Sequence, residues 1–173
     1  DGPIPVTAVI MRHAGDRANV AAALDLTQAT LEGELVNWKK AAGEPGSAKL
    51  EIELAGEYPT VMRSFSIAAG TLVAAGSGDF AAHGNGLAGL KLGRLAFART
   101  ALTDVAVDLG GRMPIVVIGG GQVDATPLLE AENPVGGDKP DKPPKPHGAF
   151  ELHAASLAKV ILGPDRTLTN VAV

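Results

Sequence analysis

Lys49-Leu50-Glu51-Ile52-Glu53-Leu54 alternates charged and apolar residues without a break. Side chains along a β-strand point to opposite faces in turn, so Leu50, Ile52 and Leu54 share one face and Lys49, Glu51 and Glu53 the other. The same period recurs on both sides of this stretch. Leu24 and Leu26 alternate with Asp25 and Thr27, Leu31 and Leu35 with Glu32 and Glu34, and Leu90 and Leu92 flank Lys91. Val105, Val107 and Leu109 flank Ala106 and Asp108, and Phe150, Leu152 and Ala154 flank Glu151 and His153. The pattern predicts a mainly β chain in which each strand has one apolar and one polar side.

Glycine and proline punctuate these runs at Gly43, Pro45 and Gly46, at Gly56 and Pro59, at Gly76 and Gly78, at Gly84 and Gly86, and at Gly110 and Gly111. Such residues mark hairpin turns, and their spacing predicts an antiparallel meander. Strands are expected near 4–12, 18–27, 29–38, 47–55, 60–68, 70–80, 86–98, 101–109 and 113–119. One short helix is expected over 124–132, with Asp124 as cap and Pro127 in the first turn. A rival reading makes 18–42 one long helix, because Ala21 to Ala23 and Leu31 to Lys40 have good helix propensity. Between Asn133 and His147, five prolines interleave with Lys139, Lys142, Lys145, Asp138 and Asp141. A stretch so poor in apolar residues reads as an extended loop inserted in the sheet. The organisation expected is therefore 1–132 as a β-groove segment, 133–147 as a flexible Pro/Lys-rich loop, and 148–173 as continuing strands of the same groove. Asp1 in place of an initiating Met, and a final strand running into Val173, are expected of a piece of a longer protein.

Hydrophobic residues make up 46 % of the 173 positions but aromatics only 3 %, with 22 glycines. Enzyme cores lean on aromatic bulk for volume, whereas Ala, Val and Leu give a broad, shallow apolar surface. The net charge of −4 provides no basic field for a nucleic acid. Every apolar run is interrupted well short of the roughly 20 residues a spanning helix requires.

Catalytic motifs find little convergent support. Arg12-His13-Ala14, after the apolar run from Val6 to Met11, resembles the phosphate-binding start of the histidine phosphatase superfamily. That chemistry needs a second histidine and further arginines; His83 and Arg63 are the candidates, but the βα alternation of the fold is missing. The expectation is an exposed strand-end pair. Ile118-Gly119-Gly120-Gly121-Gln122 lacks the glycine spacing and the following Lys of a phosphate loop, and reads as a tight turn at a sheet edge. His13, His83, His147 and His153 have no spacing that brings two to one metal, so neither metal nor cofactor is expected. Glu51 and Glu53, like Glu32 and Glu34, share a strand face that reads as solvated rather than as an acid/base pair.

Three segments carry a family likeness. Leu24 to Leu31, followed by Asn37-Trp38-Lys39-Lys40-Ala41-Ala42-Gly43-Glu44-Pro45-Gly46 and the strand Ala48 to Leu54, resembles the AsmA-like superfamily, in particular its YhdP-type domain of TamB-like envelope proteins. Val117 to Leu129 is similar to that domain's step of strand, glycine, aspartate and short helix. Phe150 to Ala154 with Leu168 to Val171 is similar to its closing strand pair. The likeness covers most of the chain from Asn19 onward, while residues 1–18 match nothing specific. It implies a periplasmic protein anchored in the inner membrane through parts outside this chain. Its strands would curl into an apolar groove (a β-taco) that carries phospholipid between inner and outer membranes, with neighbouring groove segments of the full-length chain as partners.

The residues themselves point the same way, since a one-sided apolar sheet must be covered by another layer or bind something apolar. With no covering helix evident, the alternatives are an open groove or a closed β-sandwich acting as a structural module of the cell envelope or a virion. Alternation alone assigns Leu24, Leu26, Leu31, Leu35, Leu50, Ile52, Leu54, Leu90, Leu92, Val105, Val107 and Leu109 to the groove side.

Overall fold

A computed structural model of the chain describes residues 2–33, 38–127, 129 and 151–171. Thirteen strands follow in order: β1 (Val6–His13), β2 (Arg17–Asp25), β3 (Leu31–Gly33), β4 (Trp38–Lys40), β5 (Gly46–Ala55), β6 (Tyr58–Ala69), β7 (Leu72–Phe80), β8 (Leu87–Phe97), β9 (Thr100–Asp108), β10 (Ile115–Asp124), β11 (Glu151–Ala154), β12 (Leu157–Gly163) and β13 (Arg166–Val171). Eleven of them form one curved, non-closed sheet in the order β1-β2-β5-β6-β7-β8-β9-β10-β12-β13, with β11 also on β10. The expectation of a mainly β fold with an open curved sheet is met. Among the described residues the other sheet is the small β3–β4 hairpin, and the large sheet stays open rather than closing into a sandwich.

Several details differ from the sequence reading. The strand expected over 29–38 is interrupted: β3 ends at Gly33, and Trp38 begins the return strand β4, which pairs with β3 in a small separate hairpin. The rival helix over 18–42 is replaced by β2, β3 and β4. The meander is antiparallel from β1 to β10, but β11 and β12 run parallel to β10, so the sheet is mixed. The connection between β10 and β11 is long enough for the crossover that a parallel pair requires. The glycine run 119–121 is no turn, because β10 passes straight through it to Asp124. Of the helix expected over 124–132, Thr126, Pro127 and Leu129 have helical backbone, and the Asp124 carboxylate accepts the Thr126 N–H at 3.1 Å. The rest of that segment, and the 133–147 loop, lie outside the described residues. After that loop β11, β12 and β13 rejoin the same sheet.

Curvature has an identifiable cause. In β6 the register steps from Glu51↔Ser64 to Ile52↔Met62, leaving Arg63 as an extra residue. Gly93 is extra in β8, where Ala75↔Arg94 is followed by Gly76↔Leu92. On β9 and β10, Asp104 and Gly119 fall between Ile118↔Val105 and Gly120↔Thr103. Arg63 and Gly93 are thus bulges, and Asp104 and Gly119 continue the same irregular row across β9 and β10 without a further register shift; bulges and glycine kinks bend a sheet and raise its twist. Asp104 takes the left-handed backbone there, with φ 52°. Above this crease lies the principal core: Leu92, Leu102, Val105, Ile118, Ala154 and Leu157, with Phe65, Leu95, Val107, Val116, Val123, Val160 and Val171 packed around them.

Candidate functional site

Residues directly opposite in neighbouring strands share a face. Register therefore traces one side of the sheet from strand to strand: Val6, Ala8 and Ile10 on β1 lie with Leu24, Ala22 and Val20 on β2. These continue to Ala48, Leu50 and Ile52 on β5, with Leu54 opposite Ala18. Beyond them come Ile67, Phe65 and Met62 on β6, then Ala74, Gly76 and Gly78 on β7. Leu95, Leu92 and Leu90 on β8 face Leu102, Val105 and Val107 on β9, and Ile118 and Val116 on β10 complete the row. This inner face is the one that bears the core cluster. Its one charged side chain among these ladder positions of β1 to β10 is Arg12, at the very end of β1. The outer face carries Lys49, Glu51, Glu53, Ser64, Ser66, Ser77, Lys91, Arg94 and Thr103.

Eight of the twelve residues assigned to the groove by alternation lie on the inner face: Leu24, Leu50, Ile52, Leu54, Leu90, Leu92, Val105 and Val107. Four do not join that row. Leu26 follows β2 and is buried, its Cβ beside Gly46 at the start of β5, and Leu31 belongs to the β3–β4 hairpin. Leu109 follows the end of β9, and Leu35 lies outside the described residues. Alternation missed Val20 and Ala22, where alanines on both faces of β2 hide the period. It also missed Met62, Phe65, Leu95, Leu102 and Ile118, because each irregular position along the crease shifts the phase by one. The visible trace of this shift is a three-residue step between inner-face residues: Met62 to Phe65, Leu92 to Leu95, and Leu102 to Val105.

Burial is graded along the inner face. Leu92, Leu102, Val105 and Ile118 are buried, the β2 and β5 residues are half-buried, and on β1 Val6 and Ile10 are 58 % and 62 % exposed. All eight residues of β1 are exposed, and its other edge carries no strand among the described residues.

The β3–β4 hairpin overhangs one end of this face. Gly46 opens β5 opposite Ala69, and a Cβ built on it meets the Lys40 Cε at 2.7 Å and the Leu26 Cβ at 3.0 Å. The aliphatic stem of Lys40 therefore lies across the inner face where β5 begins. Its ammonium donates to the carbonyls of Thr27 (3.2 Å), Ala29 (3.0 Å) and Ala41 (3.0 Å). Trp38 adds a second anchor, its indole N–H donating to the Thr71 hydroxyl at 3.1 Å.

The residues drafted for phosphatase chemistry separate. His13 and Arg63 line one cleft, whereas Arg12 lies on the opposite face and His83 packs edge-on against Tyr58, ring centroids 5.7 Å apart. Among the described residues no group of three or more His, Asp or Glu side chains is arranged to hold a metal ion. No helix among them is long and apolar enough to cross a membrane. What fold and face define is a class: a single-layer curved β-sheet with one continuous apolar side. No family model, curated protein or solved structure matches the chain.

Proposed function

We propose that this chain is a non-enzymatic stretch of lipid-carrying groove, with phospholipid acyl chains lying against the inner face. The observation that carries the reading is the unbroken apolar register from β1 to β10, over which, among the described residues, only the β3–β4 hairpin lies, at one end. A soluble fold that leaves such a surface uncovered needs an apolar partner. Each acyl methylene taken from water contributes about 0.8 kcal/mol, so a chain of ordinary length is held strongly by contact area alone. Small Ala, Val and Gly side chains keep the surface smooth, which suits a lipid that slides rather than one that lodges. The fully exposed strand β1 supports neighbouring groove segments of a longer chain as protein partners, since its free backbone groups invite another strand. The sequence likeness to AsmA-like proteins adds the setting: a periplasmic bridge, anchored in the inner membrane by parts outside this chain, moving phospholipid toward the outer membrane.

A photoreactive residue at Ile52 tests this. In protein purified from cells it should cross-link to phospholipid and be detected by mass spectrometry, while the same probe at Glu51, on the outer face, should not. Labelling from Glu51 equal to that from Ile52 counts against the groove. Native mass spectrometry that finds no bound lipid favours the structural module instead, with β1 as its contact strand.

A further inference from the structure

His13 and Arg17 stand directly opposite each other at the closed end of the β1–β2 hairpin. On the same outer face Arg17 pairs with Ala55 and Asn19 with Glu53. These residues, with Leu54, Thr60 and Arg63, wall a cleft of about 610 Å3. Its charges are unequal. Arg63 donates to the Glu53 carboxylate through Nε at 2.7 Å and through Nη2, so that carboxylate answers one guanidinium and fixes its plane. Arg17 has neither an ion pair nor a side-chain hydrogen bond among the described residues, and nor does His13. Asp16 and Glu57, in the two adjoining turns, do not line the cleft. Two groups able to carry positive charge at directly opposed positions repel, and an anion between them reverses the sign of that interaction.

We infer that this cleft binds a phosphate group. A guanidinium presents a planar fork of N–H donors matched to phosphate oxygens, and the third oxygen is free for an imidazole or amide N–H. Arg17 supplies the fork, with His13 and Asn19 as the further donors on the same face. The role is binding, with no bond made or broken. A soluble phosphate compound and a phospholipid headgroup offer the same chemistry. Leu54 belongs both to the cleft wall and to the inner face, so a headgroup held here has its chains at the edge of the groove; that source alone rests on the lipid reading.

Titration of inorganic phosphate into isotope-labelled protein at constant ionic strength, followed by NMR, is the test. Saturable shifts are expected at His13, Arg17 and Asn19, and not at Lys91 or Arg94 on the distant outer face. Arg17→Gln should weaken binding at least fivefold, and Glu53→Gln, which releases Arg63, should tighten it about threefold. The opposite signs of these two effects separate a built site from general attraction. Sedimentation with phosphatidic acid or phosphatidylcholine vesicles then identifies the source: loss of phosphatidic acid binding in Arg17→Gln assigns the headgroup, and unchanged vesicle binding assigns a soluble phosphate. Shifts spread evenly over all basic residues, or no response to Arg17→Gln in folded protein, overturn the proposal. The Ile52 cross-link is independent of either result.

Discussion

Lys40 is fully buried yet has no ion pair among the described residues; three backbone carbonyls take its place as partners. Burial of an ammonium is tolerated only when its N–H donors are all used, and here three donors meet three acceptors. Lys40→Met keeps the stem and leaves the carbonyls of Thr27, Ala29 and Ala41 without that donor. The expected loss is about 2–4 kcal/mol in urea unfolding, at the usual cost of unsatisfied buried polar groups. Trp38 is the one tryptophan of the chain, so its emission should move to longer wavelength as the hairpin lifts. Gly46→Ala strikes the same contact from the other side. Its Cβ meets both Lys40 and Leu26 within 3.0 Å, and overpacking of this kind costs about 1–3 kcal/mol. An emission spectrum and unfolding midpoint unchanged in both variants would remove Lys40 as the hairpin's anchor.

The crease and the hairpin are the elements with distinct demands. A Cβ on Gly76 would come within 2.1 Å of the Lys91 carbonyl oxygen, a backbone atom that cannot give way without opening the β7–β8 ladder, whereas one on Gly93 meets nothing within 4 Å. Gly76→Ala is therefore expected to destabilise by about 3 kcal/mol or more, as large effects follow from core overpacking. Gly93→Ala should be neutral or stabilising by up to about 1 kcal/mol, since a strand glycine is entropically costly. Paired denaturation curves check this; equal losses would mean that the bulge itself requires glycine. In the hairpin, Lys39 holds the Glu32 carboxyl below its ordinary range through a 2.5 Å contact. Asp25 is likewise lowered, mainly by hydrogen bonds from Thr27. Because both folded-state pKa values are depressed, their contribution is present above the ordinary carboxylate range and is lost as pH falls through the folded value. Both groups are exposed, so the effect is small. Trp38 emission should begin to change only once the pH falls below the ordinary carboxylate range, and Glu32→Gln should reduce that change.

At the scale of the molecule, the two sheet edges differ. β1 pairs with β2 over eight consecutive positions without a bulge and exposes Val6, Val9, Ile10 and Met11. β13 is shorter, meets β12 across a register shift, and has Asn170 in the left-handed region. Bulges and irregular backbone protect an edge, while a long regular apolar edge invites another strand. The isolated chain is therefore expected to self-associate through β1, and Ile10→Lys should shift its sedimentation toward the monomer. Association unaffected by that change would direct attention to the apolar face instead.

Leu50, Ile52 and Leu54 could be assigned to one face from sequence because β5 is regular between them, and the two-residue period is a local property of extended backbone. The same reasoning identified the β class and most strand positions, and assigned Leu90, Leu92, Val105 and Val107 to one face, which the register shows them to share. It failed wherever a bulge changed phase, as between Leu92 and Leu95, and wherever alanine on both sides erased contrast, as on β2. The parallel placement of β11 and β12 against β10, the folding of Lys40 over the start of β5, and the meeting of His13, Arg17 and Arg63 in one cleft were beyond local pattern. Each depends on which strands become neighbours and in what register, and that choice is made by packing between residues far apart in the chain. Alternation fixes what a strand offers to each side; only the assembled sheet decides what lies opposite.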